Sequence, residues 1–257
     1  MPAAIAYLNR SDDGAIRASS AAALMPPEKL QNPHVARKWR GLLGSSEYLT
    51  IDLETPQSID TVALMGLNLT AGGTTRLRVS ATDSTATGSL LYDSSAVVGA
   101  VNPAYGYFIG LLPAPVTGRY VRIDLTDDEL SYIEAGRLFV GPRTQFTRNF
   151  APGVRWDRVD LSRKTKGRGG QTFIDRGNSY RTLDVTFEAL TRGERYGVVE
   201  DIDRLAGERS DVLFLSDPTS DNLGADSIWG LLNGMRPTVQ PYRVDIYSKS
   251  YGLEERL

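Results

Sequence analysis

An acidic run of three residues, Asp127, Asp128 and Glu129, follows a strand-like stretch of the sequence. Carboxylate oxygens are the ligands that calcium prefers, so this run is a candidate metal site. The alternating ligand spacing of an EF-hand loop is absent, and adjacent acidic residues are more typical of a solvated turn. The sequence therefore favours a turn and leaves bound calcium as the alternative, with no other cofactor expected.

Three aromatic residues, Trp39, Tyr105 and Tyr107, are candidates for carbohydrate binding. An exposed aromatic ring can stack on the apolar face of a sugar, but in an alternating strand half of the side chains face the core. Packing is the favoured interpretation for Trp39. Tyr105 and Tyr107 lie two residues apart, so they are predicted to share one strand face and to form the better stacking platform.

Four cations, Arg163, Lys164, Lys166 and Arg168, lie in a glycine-rich stretch. Such cations can contact phosphates, but no aromatic residues are interleaved with them. We interpret the stretch as a flexible loop that makes contacts between subunits of an assembly, with phosphate contact as the alternative.

The sequence offers little that points to catalysis. The chain has one histidine, His34, and no cysteine, which excludes disulfides, cysteine-ligated zinc, thiol nucleophiles and clusters of histidine ligands. No serine nucleophile motif accompanies His34, so a structural or surface role is favoured over that of a general base. Aspartates and glutamates are scattered, and no pair stands out as the two carboxylates of a glycosidase. No catalytic residue and no enzymatic activity are predicted.

The composition is that of an ordinary globular protein. Of 257 residues, 41% are hydrophobic and 23% are charged, enough for two separate cores of about 120 to 140 residues each. The 29 basic and 31 acidic residues leave a net charge of -2, which gives no reason to expect nucleic acid or an anionic membrane as a partner. The N-terminal residues lack the pattern of a secretory signal and no segment has the apolar length of a membrane span, so a cytoplasmic protein is expected.

The first half is predicted to consist of short strands separated by turns. Residues 48–53 alternate between apolar and polar side chains, and Pro56 is predicted to end this strand. Further strands are predicted at residues 59–67, 75–81, 90–92, 105–112 and 119–125, with prolines separating the last two. Regular strands without a long helix are typical of a β-sandwich or jelly roll.

The character of the sequence changes around Gly141-Pro142, where charge rises and serine and threonine become fewer. We predict a domain boundary there, with residues 1–142 forming the β-sandwich and residues 143–257 forming a smaller α+β domain. In the second domain, residues 171–174 and 180–190 are predicted to pair as a β-hairpin.

One amphipathic helix is predicted between Thr191 and Gly207. Thr191 and Glu194 match a capping box, and Gly207 is a typical helix end. Strands at residues 212–215 and 242–247 complete the domain. The apolar positions that recur at helical spacing are Val198, Ile202, Leu205 and Ala206.

Several segments of the first half, in this order, resemble the discoidin-like, galactose-binding-like superfamily. The most specific are Trp39 ahead of the strand Leu49-Thr50-Ile51-Asp52-Leu53, and the later strand Gly118-Arg119-Tyr120-Val121-Arg122-Ile123. The resemblance covers residues 5–141 and implies a mainly β chain whose N-terminal domain is a jelly-roll β-sandwich. Members of that superfamily commonly bind glycans, lipids or proteins through their loops.

The second half is similar to distal tail and related baseplate proteins of long-tailed phages and gene transfer agents. The similarity is carried by Gly170-Gln171-Thr172, Tyr180-Arg181-Thr182-Leu183, the predicted helix, and Leu213-Phe214-Leu215 followed by Asp217-Pro218. It implies a ring of three or six copies that assembles with tail-tube, hub and other baseplate proteins in the virion tail.

These two resemblances predict a structural component of a phage or phage-like tail tip that displays a sandwich for binding host-surface glycans. The alternative is a free, lectin-like carbohydrate-binding protein, and a glycan hydrolase with unrecognised carboxylates is a third hypothesis. Neither membrane insertion nor a specific nucleic-acid partner is expected.

Overall fold

The computed structural model describes residues 2–241 and 245–257. The described part of the chain is mainly β, which confirms the predicted class. Its strands are β1 (Ala4–Ala6), β2 (Ala15–Ala18), β3 (Trp39–Arg40), β4 (Ser46–Met65), β5 (Thr74–Ser80), β6 (Leu90–Asp93), β7 (Val97–Val98), β8 (Phe108–Thr126), β9 (Glu134–Ala135), β10 (Arg137–Gly141), β11 (Thr144–Gln145), β12 (Arg155–Asp160), β13 (Arg163–Lys166), β14 (Thr172–Asp175), β15 (Ser179–Thr191), β16 (Val212–Leu215), β17 (Ser227–Leu232) and β18 (Ile246–Glu255). The helical parts are a 3-10 turn at Pro27–Gln31 and a helical segment that begins with α1 (Arg192–Glu194) and continues through wider turns at Arg195–Val199 and Ile202–Ala206.

The chain divides into two compact units. Unit 1 contains the residues up to Gln145, together with Val212–Ser227 and Leu257, and unit 2 contains Phe146–Asp211 and Ile228–Arg256. The chain first passes from unit 1 to unit 2 after Gln145, and the predicted boundary is at residue 142. The return of Val212–Ser227 to unit 1 was not predicted, because a short apolar strand such as β16 carries no sign of which sheet it joins.

Unit 1 contains a β-sandwich built on two long strands. Residues 46–52 of β4 pair with residues 120–126 of β8, and residues 57–64 of β4 pair with residues 108–118. The first of these paired stretches is extended by β2, β5, β6 and β7, and the second by β10. β4 and β8 therefore run from one sheet of the sandwich into the other.

Both long strands bend where prolines interrupt the ladder. β4 continues through Pro56, with a shift in register between Asp52 and Gln57 and with Glu54 at a φ of 63°. β8 continues through Pro113 and Pro115, both of which are exposed. Proline has no amide hydrogen to donate, so it is accepted where the ladder is broken by a bulge. The prediction that these prolines end strands is therefore wrong, since they mark bends within strands.

The two sheets share one apolar core. Leu49 and Ile51 from the first half of β4 and Val62 and Leu64 from its second half belong to the same buried cluster. Burial of one such side chain is worth roughly 1.5–3 kcal/mol relative to exposure. The core therefore depends on both halves of the bent strand.

A second ladder of unit 1 is formed by strands far apart in the sequence. β1 pairs with β11 and with β16, all antiparallel. The side chains of Ala4, Ile5 and Ala6 are all buried. The N-terminal residues are thereby fixed by segments more than a hundred positions later in the chain.

Unit 2 is a small α+β unit, as predicted. Its sheet has the order β17-β18-β15-β12. Phe187 on β15 lies 4.1 Å from Phe146 and 6.4 Å from Tyr251, measured between ring centres. The helical segment is linked to β18 by the buried Lys249, whose Nζ donates to Asp203 at 2.5 Å.

The helical segment has the predicted capping box, and of its four predicted apolar positions Ile202 and Ala206 are buried. The Glu194 amide donates to the Thr191 hydroxyl at 3.2 Å, and the Thr191 amide donates to the Glu194 carboxylate at 2.8 Å. Val199 is buried, whereas Leu205, predicted to be buried, is 37% exposed. In part of the segment, hydrogen bonds join residues five positions apart, as from the Gly207 amide to the Ile202 carbonyl. Such a turn contains more residues than an α-helical turn, so the buried side shifts away from the positions that α-helical spacing predicts.

The predicted pairing of residues 171–174 with residues 180–190 is wrong. β15 pairs with β12, and β14 pairs with β13, so residues 171–174 do not pair with residues 180–190. The chain reverses at residues 167–170, where Gly167 accepts the amide of Gly170 and Gly170 has a φ of 80°. We call β13, β14 and this turn the arm.

The last predicted strand, residues 242–247, lies partly outside the described residues. Residues 246 and 247 begin β18, which continues to Glu255. None of the helical segments in the two described ranges has the length and apolar character of a membrane-spanning helix.

We expect Leu125→Ala in β8 to lower the free energy of unfolding by about 2 to 5 kcal/mol, because it leaves a cavity in the shared core. Leu125 is fully buried, whereas Leu91 on β6 is 45% exposed. Leu91→Ala removes the same atoms and is expected to change the free energy by less than about 0.5 kcal/mol. Urea unfolding followed by circular dichroism compares the two variants, and equal effects would contradict the core described for unit 1.

Candidate functional site

A short ladder between β3 and β9 positions the candidate site in unit 1. Trp39 pairs with Ala135, and Arg40 pairs with Glu134. Side chains alternate along a strand, so Trp39 and Arg40 point to opposite sides. Trp39 is fully buried and its indole Nε1 donates to the Ser20 carbonyl at 3.0 Å. Arg40 and Glu134 are therefore left on the outer side of the ladder.

The Glu134 carboxylate is held by two cations. Lys38 Nζ donates to it at 2.6 Å, and Arg40 donates from Nε at 3.2 Å and from Nη2 at 2.8 Å. The Glu134 side chain is mostly enclosed, whereas the side chains of Lys38 and Arg40 remain about one-third exposed. We call these three residues, with Asn68 and Tyr132, the Glu134 cluster.

Asn68 and Tyr132 complete the cluster. The Asn68 side chain donates to the Tyr132 carbonyl at 3.0 Å and accepts the Glu134 amide at 2.9 Å. The Arg40 guanidinium lies 4.0 Å from the centre of the Tyr132 ring. A cation in this position is attracted by about 0.5–1 kcal/mol at an exposed site. The ring is thus held in place while 36% of Tyr132 remains exposed.

The electrostatics of the cluster suit binding. Burial raises the pKa of the Glu134 carboxyl, but hydrogen bonds from Lys38 and Arg40 outweigh burial and hold that pKa below its usual value. The hydrogen bond to Glu134 in turn raises the pKa of Arg40. Glu134 is therefore ionised at neutral pH, so it accepts hydrogen bonds and has no proton to donate as a general acid.

A loop with two exposed leucines lies beside the cluster. Leu42 is 66% exposed and Leu43 is 62% exposed. The buried Glu47 fixes this loop, because its carboxylate accepts the Leu43 amide and the Ser20 hydroxyl, both at 2.6 Å. A Cβ at Gly41 would stand 2.2 Å from the same carboxylate, so only glycine fits there. Apolar surface is thereby held next to the polar cluster.

The structure corrects the predicted stacking platform. Trp39 is fully buried and Tyr107 is 5% exposed, so neither offers a ring face to a sugar. Tyr105 is half-buried and lies in a turn, where its own amide donates to the Asn102 carbonyl. This turn precedes β8, which begins at Phe108. Tyr105 and Tyr107 therefore do not share a strand face. Sugar binding by Tyr105 alone stays a prediction.

The carboxylates of Asp127, Asp128 and Glu129 do not converge, so the structure gives the calcium alternative no support. Asp127 is buried, and its carboxylate accepts the Thr70 amide at 2.7 Å and the Glu129 amide at 3.1 Å. Asp128 and Glu129 are exposed. Across residues 2–241 and 245–257, no three carboxylate or histidine side chains are grouped so that they could hold a metal ion. The favoured interpretation of a solvated turn holds for Asp128 and Glu129 but not for Asp127, which is buried because its carboxylate binds backbone amides.

The four predicted assembly cations lie on the arm. Arg163, Lys164 and Lys166 are on β13 and Arg168 is in its turn, and all four are exposed. The stretch is thus a paired ribbon rather than an unstructured loop. Its role in assembly stays a prediction. His34 is exposed as well.

Sequence reasoning missed most of the Glu134 cluster. Lys38 and Arg40 flank Trp39, so an alternating strand around a buried tryptophan predicts that both are on the outer side. Their partner Glu134 lies 94 positions beyond Arg40. No local pattern connects residues that far apart, so the pairing becomes visible only in the fold.

Comparisons with known proteins found structural similarity over about half of the chain. Chitosan-binding module 1 of a chitosanase/glucanase from Paenibacillus sp. IK-5 is 19% identical, with a TM-score of 0.42, over 53% of this chain and 100% of that one. The family 32 carbohydrate-binding module of Clostridium perfringens NanJ, solved with galactose, is 11% identical, with a TM-score of 0.43, over 55% and 99%. The lectin domain of lectinolysin, solved with Lewis B antigen, is 12% identical, with a TM-score of 0.41, over 52% and 95%.

No protein-family model matches the sequence. No curated protein matches it either.

We expect Glu134 to titrate below the usual value of about 4.3, because Lys38 and Arg40 stabilise its ionised form. Since the folded state lowers this pKa, the stabilisation is present above the unfolded pKa and is lost as the pH falls through the folded pKa. Carbon-13 NMR of the glutamate side chains measures it. Lys38→Ala with Arg40→Ala is expected to raise the Glu134 pKa.

The control is Arg76→Ala, which breaks an exposed ion pair with Asp93 on another strand. It should leave the Glu134 pKa unchanged. An unchanged Glu134 pKa in the Lys38→Ala, Arg40→Ala variant would show that the two cations do not set the charge of the cluster.

Proposed function

We propose that unit 1 binds carbohydrate at the Glu134 cluster. The observation that carries the proposal is a set of donors and acceptors fixed by bonds to one another beside a partly exposed aromatic ring. Adjacent hydroxyl groups of a sugar both donate and accept hydrogen bonds. The Glu134 carboxylate can accept them while Lys38 and Arg40 donate, and the exposed part of Tyr132 offers an apolar surface to the C–H groups of the ring.

The cluster is arranged before any ligand arrives. Glu134, Arg40 and Asn68 are each held by partners within the cluster, and the underlying Trp39 is buried. Side chains that are already ordered lose little conformational entropy when a ligand binds. This favours recognition of a small polar ligand at a surface that is otherwise open.

The number of contacts sets the expected strength of binding. The cluster offers two cations, one carboxylate, one amide and one ring on an open surface. For such a site we expect a dissociation constant on the order of 1 mM, which corresponds to about -4 kcal/mol. Several copies acting together would bind a surface rich in glycans more strongly.

Tyr132→Ala and Arg40→Ala are each expected to weaken glycan binding about tenfold, equivalent to about 1.4 kcal/mol. A glycan array identifies a ligand, and calorimetric or NMR titration then measures the affinity of each variant. Tyr48→Ala is the control for Tyr132, since both tyrosines are 36% exposed and Tyr48 also lies beneath an arginine, Arg122, at 3.8 Å.

Arg76→Ala is the control for Arg40, because its ion pair with Asp93 is similarly exposed. Both controls should bind like the unchanged protein. The proposal is refuted if no glycan binds, or if binding is the same in all four variants.

A second candidate function, assembly into the tail tip of a phage or phage-like particle, is favoured by the arm in unit 2. Every residue of β13 and β14 is exposed, including Phe173 at 60% and Ile174 at 58%. A two-stranded ribbon is marginally stable by itself. Apolar side chains on such a ribbon are typical of a surface that a partner covers.

We infer that the partner of the arm is a second copy of this chain. The cations of the arm, with Arg168 at its tip, would meet acidic groups on the neighbouring copy. Candidates are Glu200 and Asp201 of the helical segment, which pair with Arg195 and Arg204 within one chain. In this proposal copies form a ring that joins tail-tube and hub proteins. The ring would assemble in the host cytoplasm and remain in the virion tail, where the sandwich would display its glycan site.

The double substitution Phe173→Ser, Ile174→Ser is expected to lower the mass of the purified protein's oligomer in solution, because it removes the apolar side chains of the arm. Analytical ultracentrifugation measures the mass. Leu91→Ser, which removes a 45% exposed leucine from β6, is the matched control and should leave the mass unchanged. A monomeric unchanged protein, or a mass that survives the double substitution, would favour a free carbohydrate-binding protein.

A further inference from the structure

A polar pocket of about 440 Å³ lies on the sheet of unit 2. Its floor is formed by β15 and β18, and its wall is the turn at residues 233–236 that follows β17. The polar residues of its lining are Thr182, Asp184, Asn233 and Arg236, and the apolar ones are Leu183, Met235 and Leu253. Pockets for small ligands span about 300–1,000 Å³, so this one has the size for a small molecule.

The wall of the pocket is fixed at three places. The Asn233 amide donates to the Gly252 carbonyl at 2.8 Å, and the Met235 amide donates to the Glu208 carboxylate at 2.7 Å. The carbonyl of Arg236 accepts from Lys249 Nζ at 2.8 Å. Lys249 is 2% exposed, so this third anchor is buried. The turn therefore stands over the sheet as a rigid wall.

The floor is kept open by Gly252. A Cβ at this position would lie 2.8 Å from the Asn233 carbonyl, 3.3 Å from Asp184 Oδ1 and 3.6 Å from Arg236 Nη2. Any larger residue would push into the polar groups that line the pocket. The glycine thus leaves room for Asp184 and Arg236 to meet over the sheet.

The charges in the pocket balance one another. Arg236 Nη2 donates to Asp184 Oδ1 at 2.6 Å, and each of the two side chains is nearly half exposed. The pair presents both donors and acceptors with no net charge, and Asn233, whose side-chain nitrogen donates to the Glu254 carboxylate at 3.3 Å, adds an acceptor oxygen. A neutral ligand can form hydrogen bonds with this pair without disturbing its charge balance.

We propose that this pocket is a ligand site for a neutral polyhydroxylated compound, such as one sugar unit. Adjacent hydroxyls match the planar donor and acceptor groups of Asp184, Arg236 and Asn233. Met235 is 46% exposed and offers a polarizable apolar surface to the C–H groups of the ring. The site lies in unit 2 and does not depend on the Glu134 cluster of unit 1.

The test is a nitrogen-15 NMR titration of the whole chain with glucose, galactose and N-acetylglucosamine as probes. Binding in the pocket is expected to shift the amide signals of Thr182, Asn233, Gly234 and Gly252. Binding at the cluster would instead shift signals of residues 38–43, 68 and 132–134. The two proposals therefore succeed or fail separately in one experiment.

Asp184→Asn and Met235→Ala are each expected to raise at least fivefold the dissociation constant obtained from the shifts of the pocket signals. Arg204→Ala is the control and should leave that constant unchanged. Arg204 forms an exposed ion pair with Asp201 on the helical segment, away from the lining residues. A spectrum that is otherwise unchanged shows that each variant is folded. The proposal is overturned if none of the three sugars shifts the pocket signals, or if Asp184→Asn and Met235→Ala bind like Arg204→Ala.

Discussion

The shared bend of β4 and β8 is the constraint on which unit 1 depends. Because each strand supplies residues to both sheets, neither sheet can form its apolar face without the other. The bend has a cost, since a non-glycine residue such as Glu54 at positive φ is strained by about 1–2 kcal/mol. Local bonds offset it: the Glu54 amide donates to Asp52 at 2.8 Å, and Arg119 of β8 donates to the same carboxylate at 2.6 Å. The pKa of Asp52 is lowered by this hydrogen bond from Arg119.

The polar groups of the candidate site are held by buried neighbours. Trp39 lies under the β3 and β9 ladder, Glu47 fixes the leucine loop and Asp127 binds the Thr70 amide. Two of these three are carboxylates whose partners include backbone amides. A buried acid is stable only where its oxygens find donors, so each of them restricts the loops around it to few conformations. The exposed cluster is thus ordered from below, which is how a surface site can be rigid without being enclosed.

Local periodicity predicted the elements whose environment is regular. Alternation predicted the strand over residues 48–53, and side-chain chemistry predicted the capping box of Thr191 and Glu194. The predictions that were wrong concern residues whose environment is set by tertiary structure and not by local sequence preference. Pro56 lies in a bend and not at an end, because β4 is needed in both sheets. Leu205 is exposed since wide turns rotate the helical face. Trp39 is packed beneath the site, as the favoured interpretation of this residue predicted, and the residues of the cluster come from three separate segments of the chain.

The order of segments along the chain constrains how the protein can be made. β1 needs β16, and β16 lies in a segment that returns to unit 1 only after residue 211. A ribosome releases the chain from its N-terminus onwards, so the first strand lacks one of its two partners until most of the polypeptide has emerged. A protein fragment that ends after Gln145 would lack β16, so one edge of β1 would stay unpaired. Separating the halves for study therefore calls for a rearranged chain that carries residues 212–227 with the N-terminal part.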